Sequence, residues 1–153
     1  MCGIAGILPA DLSLLKKVLR ILEHYVGSRG YCERGDRHLG AFKRYTGTGF
    51  LWISDGKVEF FKEAGLFVDE IYEKWPKGKM KKAKALLGHT RWPSSETLGA
   101  HPFFDCKGEI AIMHNGNAKE ISPPGSHKYE TKVDSERIAH YLEKKLTKKV
   151  RQD

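Results

Sequence analysis

Apolar and polar positions change their period along this chain, and each change marks an element. Gly3–Leu8 is a short apolar run closed by Pro9, the pattern of a buried strand. Between Leu12 and Tyr25, apolar residues at 12, 15, 18, 19 and 22 follow a helical spacing, and Asp11 stands where it can cap the first turn. Gly27, Gly30 and Gly35 then break the pattern. Gly49–Ile53 and Val58–Phe61 flank Asp55-Gly56, which predicts a hairpin. Phe67–Lys74 predicts a short helix stopped by Trp75-Pro76. Ala83–His89 and Glu109–His114 predict two further strands whose ends deliver loops to one site. Ile121–Lys132 contains Pro123-Pro124-Gly125 and is a loop; Ile138, Tyr141, Leu142 and Leu146 after it mark an amphipathic helix with a basic tail. The pattern alone supports a mixed class of strands and helices.

At 153 residues the chain fits one domain, residues 1–153, with a real core. No apolar stretch approaches the ~18 residues of a membrane span. The opening MCGIAGILP is too short for a secretory signal and has no basic flank, so a cytoplasmic protein without membrane contact is expected. Three scattered cysteines, Cys2, Cys32 and Cys106, form no C-x-x-C pair. They suggest neither a disulfide framework nor a metal site, and Cys32 and Cys106 read as packing residues. The formal charge is +8, much of it in Lys74–Lys84 and Lys144–Arg151. Those runs lack interleaved aromatics, so they read as solvated faces, and a small basic nucleic-acid-binding protein is a distant alternative.

Cys2 changes the picture. Loss of the initiator Met would leave a thiol and a free α-amine on one residue. An α-amine with a pKa near ~8 is partly neutral at pH 7 and can take the thiol's proton directly or through water. Cys2-Gly3-Ile4-Ala5-Gly6-Ile7 resembles the opening of the class II glutamine amidotransferases, an N-terminal nucleophile family. Further blocks appear in that family's order. Arg29-Gly30-Tyr31 with Gly35 resembles its Arg-Gly-Tyr-Asp-x-x-Gly turn, and Gly88-His89-Thr90-Arg91-Trp92 its His-Thr-Arg-Trp motif. Ala100-His101-Pro102-Phe103, His114-Asn115-Gly116 and Asp134-Ser135-Glu136 resemble three more. The blocks reach from residue 2 to about residue 142.

The resemblance implies a four-layer αββα sandwich of the N-terminal nucleophile hydrolase type, an α+β fold. It also implies roles for particular residues. Cys2 is the nucleophile; the Asn115 side chain and the Gly116 N–H hold the oxyanion of the tetrahedral intermediate. Arg91 grips the α-carboxylate of L-glutamine, Asp134 holds its α-amino group, and Trp92 and Ser94 shape the substrate pocket. Each residue also has an ordinary reading: a surface ion pair for Arg91, a core position for Trp92, a turn for Asn115-Gly116, a helix cap for Asp134. His89, His101 and His114 are expected to be structural, since the α-amine serves as base. The chemistry implied is hydrolysis of glutamine to glutamate and ammonia, with no cofactor and no metal, and with a synthase subunit or domain accepting the ammonia. A glutamine-binding or assembly module without turnover is the alternative within the same fold.

Two details depart from the family. Pro93-Ser94-Ser95-Glu96 stands where the glucosamine-phosphate synthase branch has Ala-Thr-His-Gly. Ser94 can supply the threonine hydroxyl, and the proline version is closer to archaeal-type glutamate synthase amidotransferase domains. Family domains also continue well beyond the Asp-x-Glu helix, so a sandwich shortened at its C-terminus, with apolar surface uncovered, is expected.

Overall fold

The computed structural model describes residues 2–34, 46–65, 67–92, 97–118, 120–122 and 125–150. Its central hairpin follows directly from turn chemistry. Strands β2 (Gly47–Ser54) and β3 (Lys57–Ala64) pair antiparallel with Ser54 opposite Lys57. Asp55 and Gly56 form the two-residue turn with φ of 49° and 75°. Both are left-handed, as a type I′ turn requires to match the twist of the strands. Strand β4 (Ala85–Arg91) pairs with β2, and β1 (Gly3–Ile7) pairs with the far side of β4, giving the order β1-β4-β2-β3.

Period-2 alternation divides this sheet into two faces. Gly88 of β4 lies under Leu15 and Leu19 of helix α1 (Leu12–Arg34), and Gly3 lies under Leu22. On the same face Ile7, Phe50, Trp52 and Leu86 join Leu15 and Leu19 in the core. Helix α2 (Val68–Ile71), the 3₁₀ turn Tyr72–Lys74 and helix α3 (Lys77–Met80) close its side with Val68, Ile71, Trp75 and Met80. The Phe50 and Trp75 rings are 4.5 Å apart at their centroids. The opposite face carries His89 and Arg91, and against it runs the segment leading into β5 (Phe103–Phe104). Strand β5 pairs with β6 (Ala111–Ile112), and helix α4 (Asp134–Val150) packs on both. The structure is thus α+β with antiparallel sheets. Ile4, Ile53, Val58 and Leu87 share the second face of the large sheet and are exposed.

Several expectations are met, and others are corrected. Asp11 caps α1: its Oδ1 accepts the Leu14 N–H at 2.9 Å. Helix α1 continues past Tyr25 to Arg34, so Gly27, Gly30 and the Arg29-Gly30-Tyr31 block are helical; Gly35 lies outside the described residues. A helical glycine costs about 1 kcal/mol relative to alanine, which weakens a helix without ending it. Strand β1 is an edge strand and not a buried one, with Ile4 42% exposed, because among the described residues only β4 flanks it. The strand expected over Glu109–His114 is reduced to Ala111–Ile112, the length that β5 can pair.

Glycine at 49 decides how closely the second layer approaches. A Cβ there would collide with the His101 carbonyl oxygen, which is backbone and cannot swing aside. Gly49→Ala should therefore lower the unfolding free energy by about 1–3 kcal/mol, the usual range for overpacking. Chemical denaturation checks this; an unchanged midpoint would mean that the two layers are not in contact there.

Glu23 on α1 accepts the Val68 N–H through both carboxylate oxygens, at 3.1 and 3.4 Å, and so ties α2 to α1. Burial, followed by Asp69 and Glu70, raises Glu23 from 4.5 to about 7. The folded chain then holds a proton that the unfolded chain has released between those values. Its contribution is present in full below pH 4.5 and is lost as pH rises through about 7. Glu23→Gln keeps an acceptor for Val68, and its melting temperature should decline less than that of the parent between those pH values. Parallel slopes would refute the assignment.

Candidate active site

The β1–β4 ladder sets the site. Gly3 is opposite Thr90 and Ile4 opposite His89, so Cys2 emerges beside Arg91 and Trp92 at the C-terminal end of β4. Cys2 Sγ lies 3.8 Å from the Trp92 carbonyl oxygen, a long contact even for sulfur. The Cys2 backbone nitrogen donates to Asn115 Oδ1 at 3.0 Å. With Oδ1 committed in this way, Nδ2 is the end of the Asn115 amide left to donate to a ligand. The loop after β6 thereby meets the N-terminus across 113 residues of sequence.

These residues open on a cavity of about 460 Å³. Cys2, Arg91, Trp92, Asn115, Gly116 and Asp134 all line it, which brings together every site residue expected from sequence except Ser94. Ser94 lies outside the described residues. Thr97, Asn117, Lys132, Val133, Ser135 and Arg137 line the cavity as well. Of these, Lys132 to Arg137 sit within or next to a quoted motif, but nothing in the local pattern pointed to Thr97.

Arg91 is buried, and its guanidinium is held by the following loop. Nη1 donates to the Thr97 carbonyl at 2.6 Å and Nη2 to Thr97 Oγ1 at 2.8 Å. Thr97 thus fixes the plane of the arginine fork at the cavity wall. Asp134 begins α4, but the partner of its Oδ2 is the Ala118 N–H at 2.8 Å. That contact joins the Asn115–Ala118 loop to the start of α4. Two residues on, Glu136 is buried and accepts from the Glu130 and Thr131 N–H groups at 2.6 and 2.8 Å, which fixes the incoming loop.

Gly116 has φ of 152°, and a Cβ there would stand 2.9 Å from His114 Nε2. A side chain would strain the backbone and press on the imidazole, so glycine lets the N–H at this position approach a ligand. The His114 ring is anchored from the other side, with Nδ1 3.1 Å from Ser135 Oγ.

His89 and His101 stack with centroids 3.7 Å apart. Burial lowers His89 to about 4, and burial with His89 and Arg91 nearby lowers His101 to about 2. Both are therefore neutral near pH 7. His89 Nε2 lies 3.1 Å from the His114 carbonyl oxygen and so carries its proton there. The thiol of Cys2 is raised, mainly by burial and further by Asp134, while Arg91 opposes the shift. A thiol in this setting needs a base beside it to become a nucleophile.

No family model matches the chain, and no solved structure does. Curated relatives do match. The chain is 34% identical over 155 aligned residues to the glutamine–fructose-6-phosphate aminotransferase (isomerizing) of Aquifex aeolicus, covering 94% of this chain and 23% of that protein. Proteins of the same name from Thermococcus kodakarensis and Sulfurisphaera tokodaii are 31% and 30% identical, over 95% and 94% of this chain and 23% of each relative. The chain thus spans about a quarter of the length of these relatives. Their shared name is that of a fructose-6-phosphate aminotransferase and not of the glutamate synthase group that Pro93 and its neighbours suggested. Matching these proteins over nearly its whole length, and carrying the family's motifs in order, the chain belongs to the class II, N-terminal nucleophile glutamine amidotransferases.

Proposed function

We propose that this domain hydrolyses L-glutamine to glutamate and ammonia through a γ-glutamyl thioester on Cys2, and that a synthase subunit or domain takes up the ammonia. The observation that supports this best is the meeting of Cys2, Asn115, Gly116, Arg91 and Asp134 around one cavity, although they come from four separate stretches of chain. The order of helix, sheet, second sheet and helix fits a four-layer αββα sandwich over residues 1–153, the architecture we assign to it.

In this reading, removal of Met1 turns the Cys2 nitrogen, already 3.0 Å from Asn115 Oδ1, into a free amine. The amine takes the thiol proton as sulfur attacks the glutamine carboxamide carbon. The oxygen of that group becomes an oxyanion, held by Asn115 Nδ2 and the Gly116 N–H. The amine returns the proton to the departing nitrogen, ammonia leaves, and water then cleaves the thioester to glutamate. Arg91 receives the α-carboxylate, Asp134 the α-ammonium, Trp92 forms a wall, and Ser94 is assigned a substrate-binding hydroxyl. Among the described lining residues Lys132 and Arg137 add positive charge, which suits an anionic carboxylate. The name of the relatives makes a sugar phosphate the first acceptor class to test for the ammonia.

Glutamate release at saturating glutamine tests the assignment. Cys2→Ala should abolish it. Asn115→Ala should lower kcat about 10²–10³-fold, the usual loss for one oxyanion donor. Wild-type kcat in the Asn115 variant would exclude the role given to it. Arg91→Lys replaces a planar fork with a point charge, and should raise KM for glutamine more than it lowers kcat. An unchanged KM would mean that the carboxylate binds elsewhere.

A further inference from the structure

Further along α4 than the residues that line the cavity, four side chains from three segments converge. Cys106 follows β5, His127 lies in the loop before α4, and His140 and Glu143 are one turn apart on α4. Cys106 Sγ is 3.3 Å from His127 Nδ1 and 3.5 Å from His140 Nδ1. Glu143 Oε2 is 3.2 Å from His127 Nδ1 and 3.6 Å from His140 Nδ1. All the donor atoms lie within 4.8 Å of one another. This corrects the reading of Cys106 as a packing residue: it is exposed, and its thiol faces two imidazoles.

Hydrogen bonding alone accounts poorly for this arrangement. Each Nδ1 faces both the sulfur and the same carboxylate oxygen, which also accepts the Cys106 N–H at 3.3 Å; the thiol and the two Nδ1 positions hold at most three protons for these four contacts. The nearest nitrogen–oxygen pair is 3.2 Å, long for a charge-assisted bond. A tetrahedral ion accounts for these four of the six distances within the set. Bonds of about 2.3 Å to sulfur and about 2.0–2.1 Å to nitrogen or oxygen place neighbouring donors roughly 3.3–3.6 Å apart. A mixed sulfur, nitrogen and oxygen set of this geometry suits zinc. His140 is buried, and its other ring nitrogen, 3.8 Å from Glu136 Oε1, lies beyond hydrogen-bonding distance of that carboxylate.

We propose that Cys106, His127, His140 and Glu143 bind one zinc ion in a closed tetrahedral site that pins the turn after β5 and the loop before α4 to α4. Binding releases the Cys106 thiol proton to solvent and forms a zinc–thiolate bond. Four protein donors leave no open position, so the ion is structural. It holds the end of the loop whose continuation, Lys132 to Ser135, lines the cavity.

The test uses the full chain carrying Cys2→Ala, which removes the thiol of the other site. After chelation and desalting, cobalt(II) is titrated as the probe and zinc is then added. The expected result is saturation at one equivalent, with a thiolate-to-cobalt charge-transfer band and intense tetrahedral visible bands that zinc abolishes. Adding Cys106→Ala should remove the charge-transfer band, and His127→Ala should weaken zinc binding at least ~10-fold, with far-ultraviolet circular dichroism unchanged. Two results would overturn the proposal: binding below one equivalent, or a charge-transfer band that survives loss of Cys106.

Discussion

The pairing of β1 with β4 is the constraint on which the rest of the site depends. Cys2 stands immediately before β1, so its position is set by the element that follows. Here that element is a five-residue edge strand, and its register places Gly3 opposite Thr90. A slip of one residue would turn Ile7 out of the core and carry Cys2 away from Arg91 and Trp92. The core therefore fixes the register, and the register fixes Cys2. Leu15, Leu19 and Leu22 rest on Gly88 and Gly3, where the absence of side chains lets α1 lie close to both strands.

The charges of the cavity follow from the same arrangement. Alternation sends Gly88 toward α1 and its neighbours His89 and Arg91 toward the second layer. Arg91 brings a buried positive charge, fixed by Thr97, and Asp134 brings the opposite charge from the first turn of α4. His89 and His101 add none, because burial beside each other and beside Arg91 keeps them neutral. What results is a cavity whose lining carries Arg91, Lys132 and Arg137 as cations and Asp134 as a carboxylate, beside the thiol of Cys2. With their basicity lowered by burial, the two histidines are poor bases, and the proposed mechanism gives that task to the Cys2 nitrogen.

Much of this was legible in the sequence, for local reasons. Asp55-Gly56 predicts its turn because few other dipeptides accept two left-handed residues, and Asp11 predicts its cap because a carboxylate there meets the exposed N–H groups of a first turn. The candidate residues that line the cavity stand in motifs that were legible in the sequence. What was not legible depends on contacts distant in sequence. Strand β1 looked buried because its composition is apolar, yet its burial depends on which strands flank it. Helix α1 looked finished at Gly27, yet a glycine only weakens a helix. Thr97 carries no motif of its own and matters because Arg91 folds back onto it. Cys106, His127, His140 and Glu143 share no spacing that suggests a site, since the β5–β6 turn and α4 meet only in the folded chain.

The central claim is that Cys2 is a processed N-terminal nucleophile beside a glutamine pocket, and intact-protein mass spectrometry tests it most directly. The protein is weighed before and after exposure to 6-diazo-5-oxo-L-norleucine, an alkylating mimic of glutamine. The account predicts a chain lacking Met1 that gains one adduct on Cys2, with excess glutamine suppressing the reaction. A chain that keeps Met1, or one that loses it and takes no adduct, would contradict it.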